Sequence, residues 1–278
     1  MPPLVTTDWL APRLADGTVR VLDASWYMPA QNRDALAEFA AGHIPGAAFF
    51  DIDGIADTSR PLPHMLPSPE EFGAAVGALG IGNDDMVVVY DGAGIFSAPR
   101  VWWTFRVFGH DKVAVLDGGL PKWRREGRLI EAGPSKPRTA SFAASYRPEL
   151  VRDFAAMKAN LQKRQAQVLD ARSPGRFHGS EPEPRTGLAS GHIPGSHNLP
   201  FAALIDHATG TMKPLAELAK IFADARIGPN SQVITSCGSG LTAAILAFGL
   251  FMIGHRQVAI YDGSWSEWGG IPNAPVAR

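Results

Sequence analysis

Gly42-His43-Ile44-Pro45-Gly46 returns unchanged as Gly191-His192-Ile193-Pro194-Gly195. Upstream, Val21-Leu22-Asp23-Ala24 matches Val168-Leu169-Asp170-Ala171; downstream, Asp117-Gly118-Gly119 with Trp123 matches Asp262-Gly263-Ser264 with Trp268. The order is the same and the offsets stay between 145 and 149 residues, so the 278-residue chain reads as one pattern written twice. Working outward from the repeats, each half alternates short apolar runs with helical stretches. The predicted strands are 19–22, 48–50, 87–90 and 113–116, then 167–169, 197–198, 232–236 and 258–261. Helices are predicted over 69–79, 98–108, 216–223 and 242–252. Apolar runs of four or five residues without alternation suit strands covered on both faces. The expected fold is therefore α/β, two tandem domains, each a parallel sheet flanked by helices. The expected boundaries are 1–130 and 149–278, with 131–148, rich in proline and small polar residues, as the linker.

Composition narrows the function. The formal charge of −1 offers no global field for nucleic acid or an anionic membrane, and no apolar run is long enough to span a bilayer. A single cysteine, Cys237, excludes an internal disulfide and a cysteine zinc cluster, and the eight histidines do not cluster at metal spacing. The expected setting is cytoplasmic. No metal or organic cofactor is implied.

Cys237 opens the turn Cys237-Gly238-Ser239-Gly240-Leu241-Thr242, between a buried-strand pattern and an apolar helix. Two glycines permit positive φ, so that successive N–H groups can face inward as a nest running into the helix N-terminus. A sulfur anion there gains those donors plus the partial positive charge of the helix end, which favours a reactive thiolate over an inert buried cysteine. Two other readings compete. Gly238-Ser239-Gly240-Leu241-Thr242-Ala243 satisfies the G-x-G-x-x-A pattern of dinucleotide sites, but it falls late in the repeat rather than on an opening strand, and that pattern gives Cys237 no role. A thiolate phosphatase needs an arginine six residues after the cysteine, where this chain has Ala243.

These residues resemble the rhodanese family, and within it the 3-mercaptopyruvate sulfurtransferases. The likeness rests on Phe39-Ala-Ala-Gly-His43-Ile-Pro-Gly-Ala47, on Tyr261-Asp-Gly-Ser-Trp265-Ser-Glu-Trp268 and on the uncharged loop after Cys237, and it runs from about Val5 to Asn273. It implies sulfur transfer through a persulfide on Cys237, with 3-mercaptopyruvate as donor and a thiol such as thioredoxin, or cyanide, as acceptor. Asp91 stands in the matching place of the first half, which therefore cannot form a persulfide. The resemblance further implies Gly238, Ser239, Gly240, Leu241 and Thr242 as the cradle, and Arg176 and Arg185 as clamps for the substrate carboxylate and ketone. A proton-handling set of Ser239, His64 and Asp53 follows on the same ground. A salt-bridge loop built on Glu181 and Glu183 is the bland alternative for the two arginines. His178 stands where related enzymes often carry arginine. Thiosulfate as donor, and a non-enzymatic sulfur-binding module, are the alternative functions. His43 and His192 occur in both halves although only one holds a thiol, which points to fastening a turn. Trp102, Trp103, Trp123, Trp265 and Trp268 are expected to pack.

Overall fold

The computed structural model describes residues 1–15, 17–135 and 138–278; Asp16 and, in the expected linker, Lys136 and Pro137 lie outside the described residues. Two compact units emerge. The first comprises Met1–Ala56, Pro67–Arg147 and Asp206–Met212; the second comprises Asp57–Leu66, Pro148–Ile205 and Lys213–Arg278. Neither is contiguous in sequence: a short segment from each half of the chain belongs to the unit built mainly from the other half.

In the first unit, β1 (Leu4–Val5), β2 (Val19–Asp23), β3 (Ala48–Phe49), β4 (Met86–Tyr90) and β5 (Val113–Leu116) form a sheet ordered β1-β5-β4-β2-β3. All its paired strands run parallel, and Asp23 lies in register with Tyr90. The second unit repeats this with β6 (Val151–Arg152), β7 (Ala166–Asp170) and β8 (His197–Asn198). Next in the chain come β9 (Ile205–Asp206) and β10 (Thr211–Met212), a two-stranded piece whose residues from Asp206 on belong to the first unit; β11 (Gln232–Ser236) and β12 (Val258–Tyr261) complete the main sheet of the second unit. Its order is β6-β12-β11-β7-β8, and Asp170 is in register with Ser236. The unbroken apolar runs occupy the middle of each sheet, where Val87, Val88 and Val89 have no exposed surface. The helix Ala243–Met252, apolar all round, is buried from Ala243 to Leu250, as a helix without a polar face must be.

The repeated histidines fasten turns. His43 Nδ1 meets the Phe39 carbonyl at 2.8 Å and its ring stacks on Phe39; His192 does the same with Phe177 at 2.9 Å. The tryptophans singled out in the sequence are buried, and the indole N–H groups of Trp123, Trp265 and Trp268 donate to the carbonyls of Leu129, Ala189 and Pro275. That arrangement reconciles a large apolar ring with its single donor. Residues 138–147 of the expected linker are packed. Phe142 is buried edge-on against Phe72 and Phe105, and Asn83 exchanges two 2.8 Å hydrogen bonds with the backbone of Ala143.

Candidate active site

β11 is the central strand of its sheet, and Cys237 is the first residue past its carboxyl end. Ligand sites of parallel sheets form at such ends, because the following loop turns from the strand into a helix N-terminus. Here Gly240 adopts φ +76°, and the helix starts at Ala243 with Thr242 as its cap residue. Cys237 is 1% exposed. Its own N–H donates to Ser264 Oγ at 3.2 Å, and its carbonyl accepts from Trp265 N–H at 3.0 Å. The Gly238 carbonyl accepts from both the N–H and the hydroxyl of Ser266, at 2.8 and 2.7 Å. The turn after β12 thus holds the outer rim of the cysteine loop.

The remaining donors of the loop point to its chemistry. Among the described residues, no acceptor takes the N–H groups of Ser239, Leu241, Thr242 or Ala243. Buried backbone donors are almost always paired, so a cluster without acceptors needs an anion or water. The first unit shows what fills such a loop. Asp91 follows β4 as Cys237 follows β11. Its carboxylate accepts from Ala93 N–H (2.9 Å), Phe96 N–H (2.7 Å), Ser97 N–H (3.0 Å) and Ala98 N–H (2.9 Å). Counted back from the helix caps Ser97 and Thr242, the counterparts of Phe96, Ser97 and Ala98 are Leu241, Thr242 and Ala243; counted forward from Asp91 and Cys237, that of Ala93 is Ser239, the cysteine loop being one residue shorter. One repeat carries its anion on the chain, and the other presents a matching set of donors beside a thiol.

Arg176 reaches this loop. It lies in the short helix Pro174–His178, capped by Ser173 Oγ, which accepts from Arg176 N–H. A Cβ placed on Gly238 would come within 2.8 Å of Arg176 Nη2, so the guanidinium lies directly against this glycine. Glu183 aims that guanidinium, accepting from Nη2 at 2.5 Å and from Nε at 3.2 Å. The same carboxylate accepts from Arg172 Nη1 at 2.7 Å, and Arg172 also binds Asp170 and the Gly191 carbonyl and lies 4.3 Å over the Trp265 ring. The Arg172 side chain is fully buried. Burial alone would push its guanidinium down, but the bonds to Asp170 and the charges of Asp170 and Glu183 raise it. The salt-bridge reading of this loop is therefore correct for Glu183, and Glu181 accepts from Ser173 Oγ at 2.7 Å. The ion pairs orient Arg176 beside the cysteine loop instead of replacing that placement.

Other expected site residues fall as follows. Arg185 is partly exposed in the loop beyond the helix. His178 packs edge-on against Phe177 and His192. His64 is buried and belongs to the same compact unit as Cys237, although it lies in the first half of the sequence. Asp53 belongs to the first unit, is exposed, and accepts from Trp26 Nε1 at 2.8 Å. Sequence reasoning did not single out Asp170 and Arg172, which anchor Arg176 through Glu183, nor Ser264 and Ser266. The repeated Leu-Asp-Ala motif flagged Asp170 only as part of the repeat.

The rhodanese-like domain family matches residues 6–126 and 153–270. This chain belongs to the rhodanese family. A protein of Arabidopsis thaliana named thiosulfate/3-mercaptopyruvate sulfurtransferase 2 is 49% identical over 295 residues, covering 99% of this rhodanese and 86% of the relative. The human 3-mercaptopyruvate sulfurtransferase is 45% identical over 271 residues, with 95% and 91% covered. A rat thiosulfate sulfurtransferase is 46% identical over 272 residues, with the same coverage. Among solved structures, the 3-mercaptopyruvate sulfotransferase SseA of Escherichia coli superposes with a TM-score of 0.87 at 38% identity, covering 95% of this rhodanese and 99% of that chain.

Proposed function

We propose that this rhodanese moves sulfur from 3-mercaptopyruvate to a thiol acceptor such as thioredoxin, or to cyanide, through a persulfide on Cys237. One observation carries the reading: among the described residues, the four N–H groups whose counterparts hold the Asp91 carboxylate have no acceptor beside Cys237. In the first step the Cys237 thiolate attacks the substrate sulfur. The carbon–sulfur bond breaks, its electron pair leaves on carbon as the enolate of pyruvate, and the proton of the substrate thiol ends on that carbon. Ser239 and His64 are assigned to move this proton; Asp53 joins them on the family resemblance alone. The persulfide anion then rests on the loop donors until the acceptor removes its outer sulfur. A lone thiol of this kind must be kept reduced, which fits the cytoplasm.

The relatives' names do not choose the donor, since mercaptopyruvate and thiosulfate enzymes match about equally. The loop does. Positions 238–242 carry no charge, whereas a thiosulfate dianion would draw on cations among them. Arg176 beside Gly238, and Arg185 after it in the chain, suit a keto acid, whose carboxylate and ketone accept forked donors. Steady-state kinetics with both donors test this. Wild type is expected to give the higher kcat/KM with 3-mercaptopyruvate, and Arg185→Ala to lower that value by roughly 10- to 100-fold, the range for a lost hydrogen bond to a charged group. A higher kcat/KM with thiosulfate, or unchanged mercaptopyruvate turnover in Arg185→Ala, overturns the assignment.

A further inference from the structure

The short turn after β12 grips two loops at once. At one end, Ser264 Oγ, Trp265 N–H and Ser266 hold Cys237 and Gly238 as described above. At the other, Asp262 Oδ2 accepts from Leu66 N–H at 2.9 Å, joining residues 196 positions apart. Leu66 closes the segment Asp57–Leu66, the piece of the first sequence half that belongs to the unit of Cys237. Within this segment Asp57 N–H donates to the Met65 carbonyl at 3.0 Å. His64 stands just before these two ties, buried, with φ +61°. A non-glycine residue in the left-handed region is strained and keeps that conformation only where neighbouring bonds impose it.

The other unit carries the same clamp. Asp117, which the repeat pairs with Asp262, accepts from Met212 N–H at 2.9 Å, and Met212 ends the segment Asp206–Met212 exchanged the opposite way. Burial holds the Asp117 carboxyl above the usual carboxylate range, against the bond from Met212 and the charge of Lys122. The device therefore belongs to the duplicated fold. The segment clamped in the first unit also carries a histidine, His207, but that one is exposed where His64 is buried, and only in the second unit does the clamping turn touch a thiol loop.

We infer that Asp262 is a positioning residue for sulfur transfer: by holding Leu66 it sets His64 in place relative to Cys237, so that the first half of the chain supplies the proton-handling group to the second. The inference rests on the proposed role of His64. Its test is the single-turnover rate of persulfide formation from 3-mercaptopyruvate as a function of pH, with KM from steady state. Asp262→Ala is expected to slow persulfide formation by roughly 10- to 100-fold, the cost of misplacing a reacting group. It should also alter the pH profile as His64→Asn does and leave KM within about twofold, because the Arg176 contact is untouched. Asp262→Asn retains an acceptor oxygen and should recover most of the rate. Asp117→Ala, which loosens the matching clamp, should leave the pH profile unchanged. An Asp262→Ala enzyme with the wild-type profile while His64→Asn is altered overturns the clamp alone. A wild-type profile in His64→Asn overturns the clamp together with the role of His64. Equal slowing in Asp117→Ala and Asp262→Ala would reduce the clamp to a fold fastener and likewise overturn the inference.

Discussion

Replacing Cys237 with serine will yield a folded chain that gains no mass on incubation with 3-mercaptopyruvate, whereas the wild type gains one sulfur atom. The side chain is buried at the end of a central strand, and serine is nearly its equal in volume, so the loop and its contacts to Ser264, Trp265 and Ser266 should survive. What disappears is the nucleophile, and no second cysteine exists to replace it. Turnover should fall by on the order of 10⁴-fold or more, as when a covalent catalyst loses its attacking group. Intact-mass spectrometry and steady-state assay of the same sample decide the matter. Sulfur uptake by Cys237→Ser would place the chemistry elsewhere.

Asp91→Ala should strongly destabilise the first unit, although it lies far in sequence from the thiol. Its carboxylate is fully buried and satisfies four backbone donors, one of them on the first residue of the helix Ala98–Val107. Removing it orphans those donors at a cost of about 1 kcal/mol or more each, so a loss of about 4 kcal/mol is expected. In a chain of this size that lowers the unfolding midpoint by roughly 10 °C. The loop should then accept a free anion in place of the lost carboxylate. Sulfate or chloride should raise the midpoint of Asp91→Ala in proportion to the logarithm of concentration once the site fills, beyond any effect on wild type. Asp91→Asn, which keeps one oxygen, should fall between the two. Wild-type stability in Asp91→Ala, or no differential anion effect, would mean that the loop is not an anion nest, and would remove the main support for reading its counterpart as one.

Much of this architecture was legible because duplication writes each signal twice. The Gly-His-Ile-Pro-Gly and Leu-Asp-Ala motifs marked the duplication, and the apolar runs at 87–90 and 232–236 marked the central strands. The edge strands β1 and β6 were not anticipated, since two residues have no period to read. Pattern also assigned Asp91 to the place of the cysteine, but the filling of its loop by its own carboxylate depends on backbone directions that letters do not encode. The exchange of Asp57–Leu66 and Asp206–Met212 escaped for a different reason. It rests on single hydrogen bonds, Leu66 to Asp262 and Met212 to Asp117, between residues far apart in the chain, and nothing local in either segment announces its partner. Arg176 was named from resemblance, with a salt-bridge loop as the rival. In the structure Glu183 pairs with Arg176 while Arg176 lies against Gly238, so the ion pair does not draw Arg176 away from the cysteine loop.

The most direct measurement is of the loop amides themselves. With uniformly ¹⁵N-labelled protein, amide spectra recorded before and after loading with 3-mercaptopyruvate should show the protons of Ser239, Leu241, Thr242 and Ala243 moving downfield as the persulfide anion becomes their acceptor, while Ala93, Phe96, Ser97 and Ala98 stay fixed on Asp91. A sample that mass spectrometry proves to carry the extra sulfur, yet whose four loop amides do not move, would contradict the account.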